Sequence, residues 1–182
     1  MPCPCGASGY RGAVLSPLEG MKQTTNDKMT VKELKLRLME ACGDRGAVDD
    51  IIDQLALLNP TEGTAMSPLL QRRWKLVWTT EKEINFFLDK ELADQIFQTI
   101  DGTRLENLIP FRKGGSFGVA GKLVPSEGLR TEFTFESATL DLQWLRIPLP
   151  PVGSGWFDTV FLDDELRIDR NSRNDILICR SS

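Results

Sequence analysis

A chain of 182 residues, 41% apolar and 26% charged, is long enough to bury a sizeable core in one domain and still carry an appendage. Its net charge of −4 and pI near 5.0 supply none of the clustered cations that phosphate recognition requires, so nucleic acid is not an expected partner. Histidine is absent, which excludes Ser-His-Asp and Cys-His nucleophiles, His-bearing zinc sites and imidazole acid–base chemistry.

Residues 1–28 are rich in Gly, Ser, Pro and Thr without apolar periodicity and read as a flexible leader. Glu19 is the only acid before Asp27, as in the remnant of a transit peptide, although the stretch is neither Arg-rich nor clearly amphipathic. Cys3-Pro-Cys5 offers at most half of a structural zinc site, while Cys42 and Cys179 are too scattered for a redox motif. No metal or cofactor is expected, and a reducing compartment is the simpler reading. No apolar run reaches the roughly 18–20 residues of a transmembrane helix, so no transmembrane segment is expected.

Residues 29–60 carry helical periodicity. Thr30-Val-Lys-Glu33 has capping-box spacing, in which hydroxyl and carboxylate satisfy each other's orphan amides at a helix start. Leu34, Leu38 and Ala41 follow before Gly43. A second helix is expected from near Ala47, with Val48, Ile51, Ile52, Leu55 and Leu58 as its apolar stripe, ending at Asn59-Pro60. Such a pair suits either core packing or docking on a surface, and its mixed-sign polar faces argue against anionic lipid.

From Arg73 the period changes to two. Trp74, Leu76 and Trp78 alternate, as do Leu105, Asn107, Ile109 and Phe111, then Phe117, Val119, Gly121 and Leu123, then Leu129, Thr131, Phe133 and Phe135. Further runs cover residues 95–100, 140–147, 156–162, 166–169 and 175–180, giving about nine short strands. Turn signals separate them at Asp101-Gly102, Gly114-Gly115, Ser126-Glu-Gly128, residues 148–155 and Asn171-Ser172. Short links favour an antiparallel meander over residues 61–182, and closure into a barrel removes the exposed edges. Ile84-Asn-Phe-Phe-Leu88, with the stretch to Ala93, interrupts the meander and is placed to cover a barrel mouth.

Four segments carry a resemblance in the expected order: Leu58-Asn59-Pro60-Thr61, Arg73-Trp74-Lys-Leu-Val-Trp-Thr-Thr80, Ile96-Phe-Gln-Thr-Ile-Asp101 and Trp156-Phe-Asp-Thr-Val-Phe-Leu-Asp-Asp-Glu-Leu-Arg-Ile-Asp-Arg170. Over about residues 30–180 the chain resembles the plastid lipid-associated proteins, or plastid fibrillins. Arg73 departs from the usual glycine before the first Trp, and Asn171 from a glycine common in the closing region. The resemblance implies a mainly β chain (α+β by content), a lipocalin-like antiparallel β-barrel preceded by two N-terminal helices. It also implies a plastid protein of the stroma, thylakoid or plastoglobule that binds or organises prenylquinones, carotenoids or fatty acids.

The residues expected to face the barrel interior are Trp74, Leu76, Trp78, Phe97, Phe117, Phe133, Phe135 and Trp144. They suit either a filled core or the lining of a site for one lipophilic small molecule. Arg167 or Arg170 either lies on the Trp74 indole and closes the barrel base or meets a ligand head group. Asp158, Asp163, Asp164, Glu165 and Asp169 are expected to pair with nearby arginines rather than to hold metal, because neighbours on a strand face opposite sides. With no nucleophile beside a matched base, no catalytic residue is named and no enzyme is expected. A structural coat or adaptor that docks its helical pair on lipid or a protein partner is the alternative.

Overall fold

The computed structural model describes residues 29–150 and 153–182. The leader, with Cys3 and Cys5, lies outside the described residues. Helix α1 (Val31–Ala41) starts with the expected capping box: Thr30 Oγ1 accepts from Glu33 N–H at 3.3 Å, and the Thr30 N–H donates to the Glu33 carboxylate at 2.8 Å. Helix α2 (Arg45–Leu57) begins earlier than its stripe suggests, because Asp44 Oδ1 caps the amides of Gly46 and Ala47.

The strands are β1 (Arg73–Thr79), β2 (Phe97–Asp101), β3 (Arg104–Pro110), β4 (Ser116–Pro125), β5 (Arg130–Asp141), β6 (Arg146–Leu149), β7 (Ser154–Leu162), β8 (Leu166–Asn171) and β9 (Ile176–Ser181). Helix α3 (Lys82–Asp89) sits between β1 and β2. All pairings are antiparallel, and they run β1–β2–β3–β4–β5–β7–β8–β9 and back to β1, closing a ring; β6 pairs residues 138–141 of β5, beyond the stretch 130–134 that pairs β7. The fold is thus a closed antiparallel barrel preceded by two helices. The run expected as one strand over residues 140–147 is instead a tight β5–β6 turn: Gln143 adopts φ +72° and Trp144 N–H donates to the Leu142 carbonyl.

Two cores share the barrel wall. The apolar stripes of α1 and α2 (Leu34, Leu38, Val48, Ile51, Ile52 and Leu55) bury against the outward residues Phe161, Leu166, Ile168, Ile176 and Ile178 of β7, β8 and β9. The inner core holds Trp74, Ile100, Leu105, Leu123, Phe157, Leu162 and Cys179. Strand β1 serves both because its register slips at Val77: Leu76 opposes Cys179 of the inner core, whereas Trp78 opposes Ile178 of the outer one. A second bulge, where β4 meets β5, brings the strands so close that a Cβ on Gly121 would stand 2.2 Å from the Thr134 carbonyl oxygen.

Charged side chains complete the clasp on the helices. Arg170 donates to Asp49 at 3.1 Å and Asp53 at 2.9 Å on α2, and Lys35 of α1 pairs with Asp163 and, at 3.1 Å, with Glu165. These pairs fix orientation more than they stabilise, being partly solvated. Leu38→Ala should lower unfolding free energy by about 2–5 kcal/mol in urea titrations, whereas Leu57→Ala, at an 86% exposed position, should change it by less than about 0.5 kcal/mol.

Candidate binding lumen

One end of the barrel is sealed. Two short 3₁₀ turns, Thr64–Met66 and Pro68–Leu70, lead into β1, and the Trp74 indole N–H donates to the Leu70 carbonyl at 3.0 Å. The Arg167 guanidinium carbon lies 5.2 Å from the Trp74 ring centroid and 5.8 Å from that of Phe157. Arg167 Nη2 donates to Asp169 Oδ2 at 2.8 Å and also to the Gln98 amide oxygen. Gln98 in turn donates to Asn107 Oδ1 at 2.9 Å, and Thr159 Oγ1 donates to Asp169 Oδ1 at 2.8 Å.

This network holds charge away from water. Arg167 and Asp169 are both buried, and burial raises the Asp169 pKa above the ordinary carboxylate value, with Arg167 and the Thr159 hydroxyl opposing the shift. Burial also pushes the Cys179 thiol up to about 12, so it is a protonated, unreactive side chain at neutral pH. Among the described residues, Arg167 Nε and Nη1 and Thr131 Oγ1 have no hydrogen-bond partner.

Above the floor, cross-strand partners fix which residues point inward, because directly opposed residues share a face. Trp74 opposes Gln98, Asn107 opposes Val119, Ile109 opposes Phe117, Gly121 opposes Phe135, Leu123 opposes Phe133, and Asp169 opposes Leu177. Leu76, Gln98, Asn107, Phe117, Phe133, Phe135 and Leu177 remain only partly buried although they face the interior. The lining above the floor is therefore not close-packed throughout. At the opposite end, α3 lies across the mouth. Its Phe87 stacks on Phe111 and Phe117, with centroids 6.2 and 6.0 Å apart, and Asn85 donates to the Thr79 carbonyl.

The structure brings Trp74, Leu76, Phe117, Phe133 and Phe135 together as interior residues, and places three expected lining residues elsewhere. The β1 bulge turns Trp78 outward beneath the helices. Phe97 opposes the exposed Leu108 on the outer face, under the Arg73 guanidinium at 3.8 Å. Trp144 sits in the β5–β6 turn, 83% exposed. Arg170 faces α2 and takes no part in the interior. Thr131 lies inward on the face it shares with Phe133 and Phe135, as the alternation predicts, whereas Gln98, Thr159, Asp169 and Leu177 are interior residues beyond the expected lining; the signal for Gln98 was its two-residue spacing from the core residue Ile100.

The acidic run is distributed among cations: Asp158 binds Arg130 at 2.8 Å, Asp163 binds Lys35 and Asp169 binds Arg167. Among the described residues, no group of three or more Cys, Asp or Glu side chains is placed to hold a metal ion. None of the described helices is long and apolar enough to cross a membrane.

Arg167→Ala strands a buried carboxylate and should cost about 3–5 kcal/mol at neutral pH. The remaining Asp169 then has a folded-state pKa still further above its unfolded value. Its proton-linked stability is present at acid pH and lost as pH rises through the folded-state pKa. The deficit relative to wild type should therefore shrink when urea unfolding is repeated at lower pH, and a constant or growing deficit would contradict this assignment. Iodoacetamide labelling of native protein at about pH 8, mapped by mass spectrometry, should spare Cys179 until the protein unfolds.

The PAP_fibrillin family model matches residues 22–180. A probable plastid-lipid-associated protein 11, chloroplastic, from Arabidopsis thaliana is 30% identical over 170 residues, which covers 90% of this chain and 80% of that protein. No solved structure matches the chain. The matched span and the chloroplastic relative show that the chain belongs to the PAP_fibrillin family of plastid proteins.

Proposed function

We propose that this protein is a non-enzymatic, lipid-associated plastid protein that holds one lipophilic small molecule of prenylquinone, carotenoid or fatty-acid type in its barrel, at thylakoids or plastoglobules. The observation that carries this reading is the set of inward but incompletely buried side chains, Leu76, Phe117, Phe133, Phe135 and Leu177, above a sealed polar floor. Their rings and branched chains offer apolar area at roughly 25 cal/mol per Å², while Asn107 and Gln98 supply the few polar contacts that orient a ligand. The chloroplastic relative is by name associated with plastid lipid, which agrees in chemical class.

The alternative, a coat that docks through its helical pair, is weakened by the burial of that pair's apolar stripe. Leu34, Leu38, Val48, Ile52 and Leu55 are consumed by the barrel wall and have nothing left to present to a second surface.

Titration of the protein with a fatty acid or a quinone should quench tryptophan emission and saturate at one molecule per chain. Phe135→Ala removes apolar contact of about 1.5–3 kcal/mol and should weaken binding by about 10- to 100-fold. A flat titration with every lipophile class would contradict the proposal.

A further inference from the structure

The mouth end of the barrel carries a feature that the lumen does not use. Trp144 stands 83% exposed at the tip of the β5–β6 turn, flanked by Leu142 and Leu145, which are 36% and 42% exposed. A tryptophan held at a turn tip with nothing among the described residues to cover it is costly in water, and its ring suits the boundary between apolar chains and polar head groups.

The tip is tied to the α3 plug. The Gln143 side-chain amide donates to the Lys113 carbonyl of the β3–β4 turn, and its backbone N–H donates to Asp141 Oδ1 at 2.8 Å. The β3–β4 turn in turn holds the end of α3, since Phe111 bridges Ala93, Arg112 N–H donates to the Leu92 carbonyl and the Arg112 guanidinium binds Asp94. Leu92 and Phe86 are themselves 42% and 51% exposed. The exposed apolar groups of the tip and of α3 are thus linked around one barrel mouth.

Charge narrows the partner. Residues 81–94, 111–115 and 141–146 at this end carry five cations (Lys82, Lys90, Arg112, Lys113 and Arg146) against six acids (Glu81, Glu83, Asp89, Glu91, Asp94 and Asp141), with Arg112 bound to Asp94 and Glu91 and Arg146 to Asp141, so these described segments carry no net positive charge for anionic head groups. We infer that the mouth end, led by Trp144 with Leu142 and Leu145, docks on a lipid surface of no net charge and sets the α3-covered opening against it. This rests on the lumen as a lipophile site, because docking at the mouth gives an apolar ligand a path that avoids water. Leu57 and Met66 are also exposed, toward the sealed end, where the Trp74–Arg167 floor offers no such path.

Flotation of the full chain with phosphatidylcholine vesicles tests this. Wild type should float, unaffected by added salt, and Trp144→Ser should reduce the floated fraction at least about tenfold while a Leu57→Ser/Met66→Ser variant floats as wild type. Trp144→Ser should still bind a water-soluble short-tailed quinone in vesicle-free solution with wild-type affinity. Wild type that does not float, unchanged flotation of Trp144→Ser, or loss confined to the Leu57/Met66 variant would each overturn the inference. If neither protein binds the quinone yet flotation depends on Trp144, the docking face stands and the lumen reading falls.

Discussion

Arg167 is a charge held where water does not reach it, and the barrel is organised around that constraint. Its guanidinium needs a carboxylate, acceptors and a ring face, and the fold provides Asp169 from the same strand, Gln98 from β2 and Trp74 from β1. These groups reach one point only if β1 and β9 pair to close the sheet, so ring closure and charge satisfaction are one event. A buried pair of this kind contributes little net stability against its desolvation cost. Its effect is to exclude arrangements in which the ring stays open and the charge lacks partners.

The second constraint is economy of surface. The wall formed by β7, β8 and β9 is buried on both faces, inward at the floor and outward against α1 and α2. That double use explains why β8 is buried along most of its length, with Leu166 and Ile168 facing the helices and Arg167 and Asp169 facing the floor. It also leaves the wall formed by β2 to β6 without a helical cover. Along that wall the outer concavity, about 560 Å³, is lined by small and polar residues such as Gly118, Ala120, Ser137 and Thr139, rimmed by Arg104 and Arg146.

Much of the architecture was legible in the residues, and the failures have specific causes. The capping box at Thr30, the period-two strands and the α3 interruption depend on local patterns that survive folding. Trp78 misled because a bulge at Val77 is a property of the β1–β9 pairing and leaves no local mark. Phe97 misled because an outward phenylalanine covered by Arg73 looks like a core residue in a short run. Trp144 misled because an apolar run through residues 140–147 hides a turn that places Gln143 at positive φ without glycine. Interior polar residues such as Gln98 and Thr159 were hardest to find, since their burial arises from opposing strands rather than from their own chemistry.

The barrel divides its labour between its two ends. The floor fixes the fold, the partly buried residues above it give the lumen its character, and the mouth carries the apolar groups that the fold leaves uncovered. The central claim, that the barrel is a container, is tested most directly by native mass spectrometry of the protein taken from its own plastids without detergent exchange. The account predicts a single lipophilic adduct per chain, released on unfolding. A mass equal to that of the bare polypeptide, with the barrel intact and lipid present throughout, would contradict it.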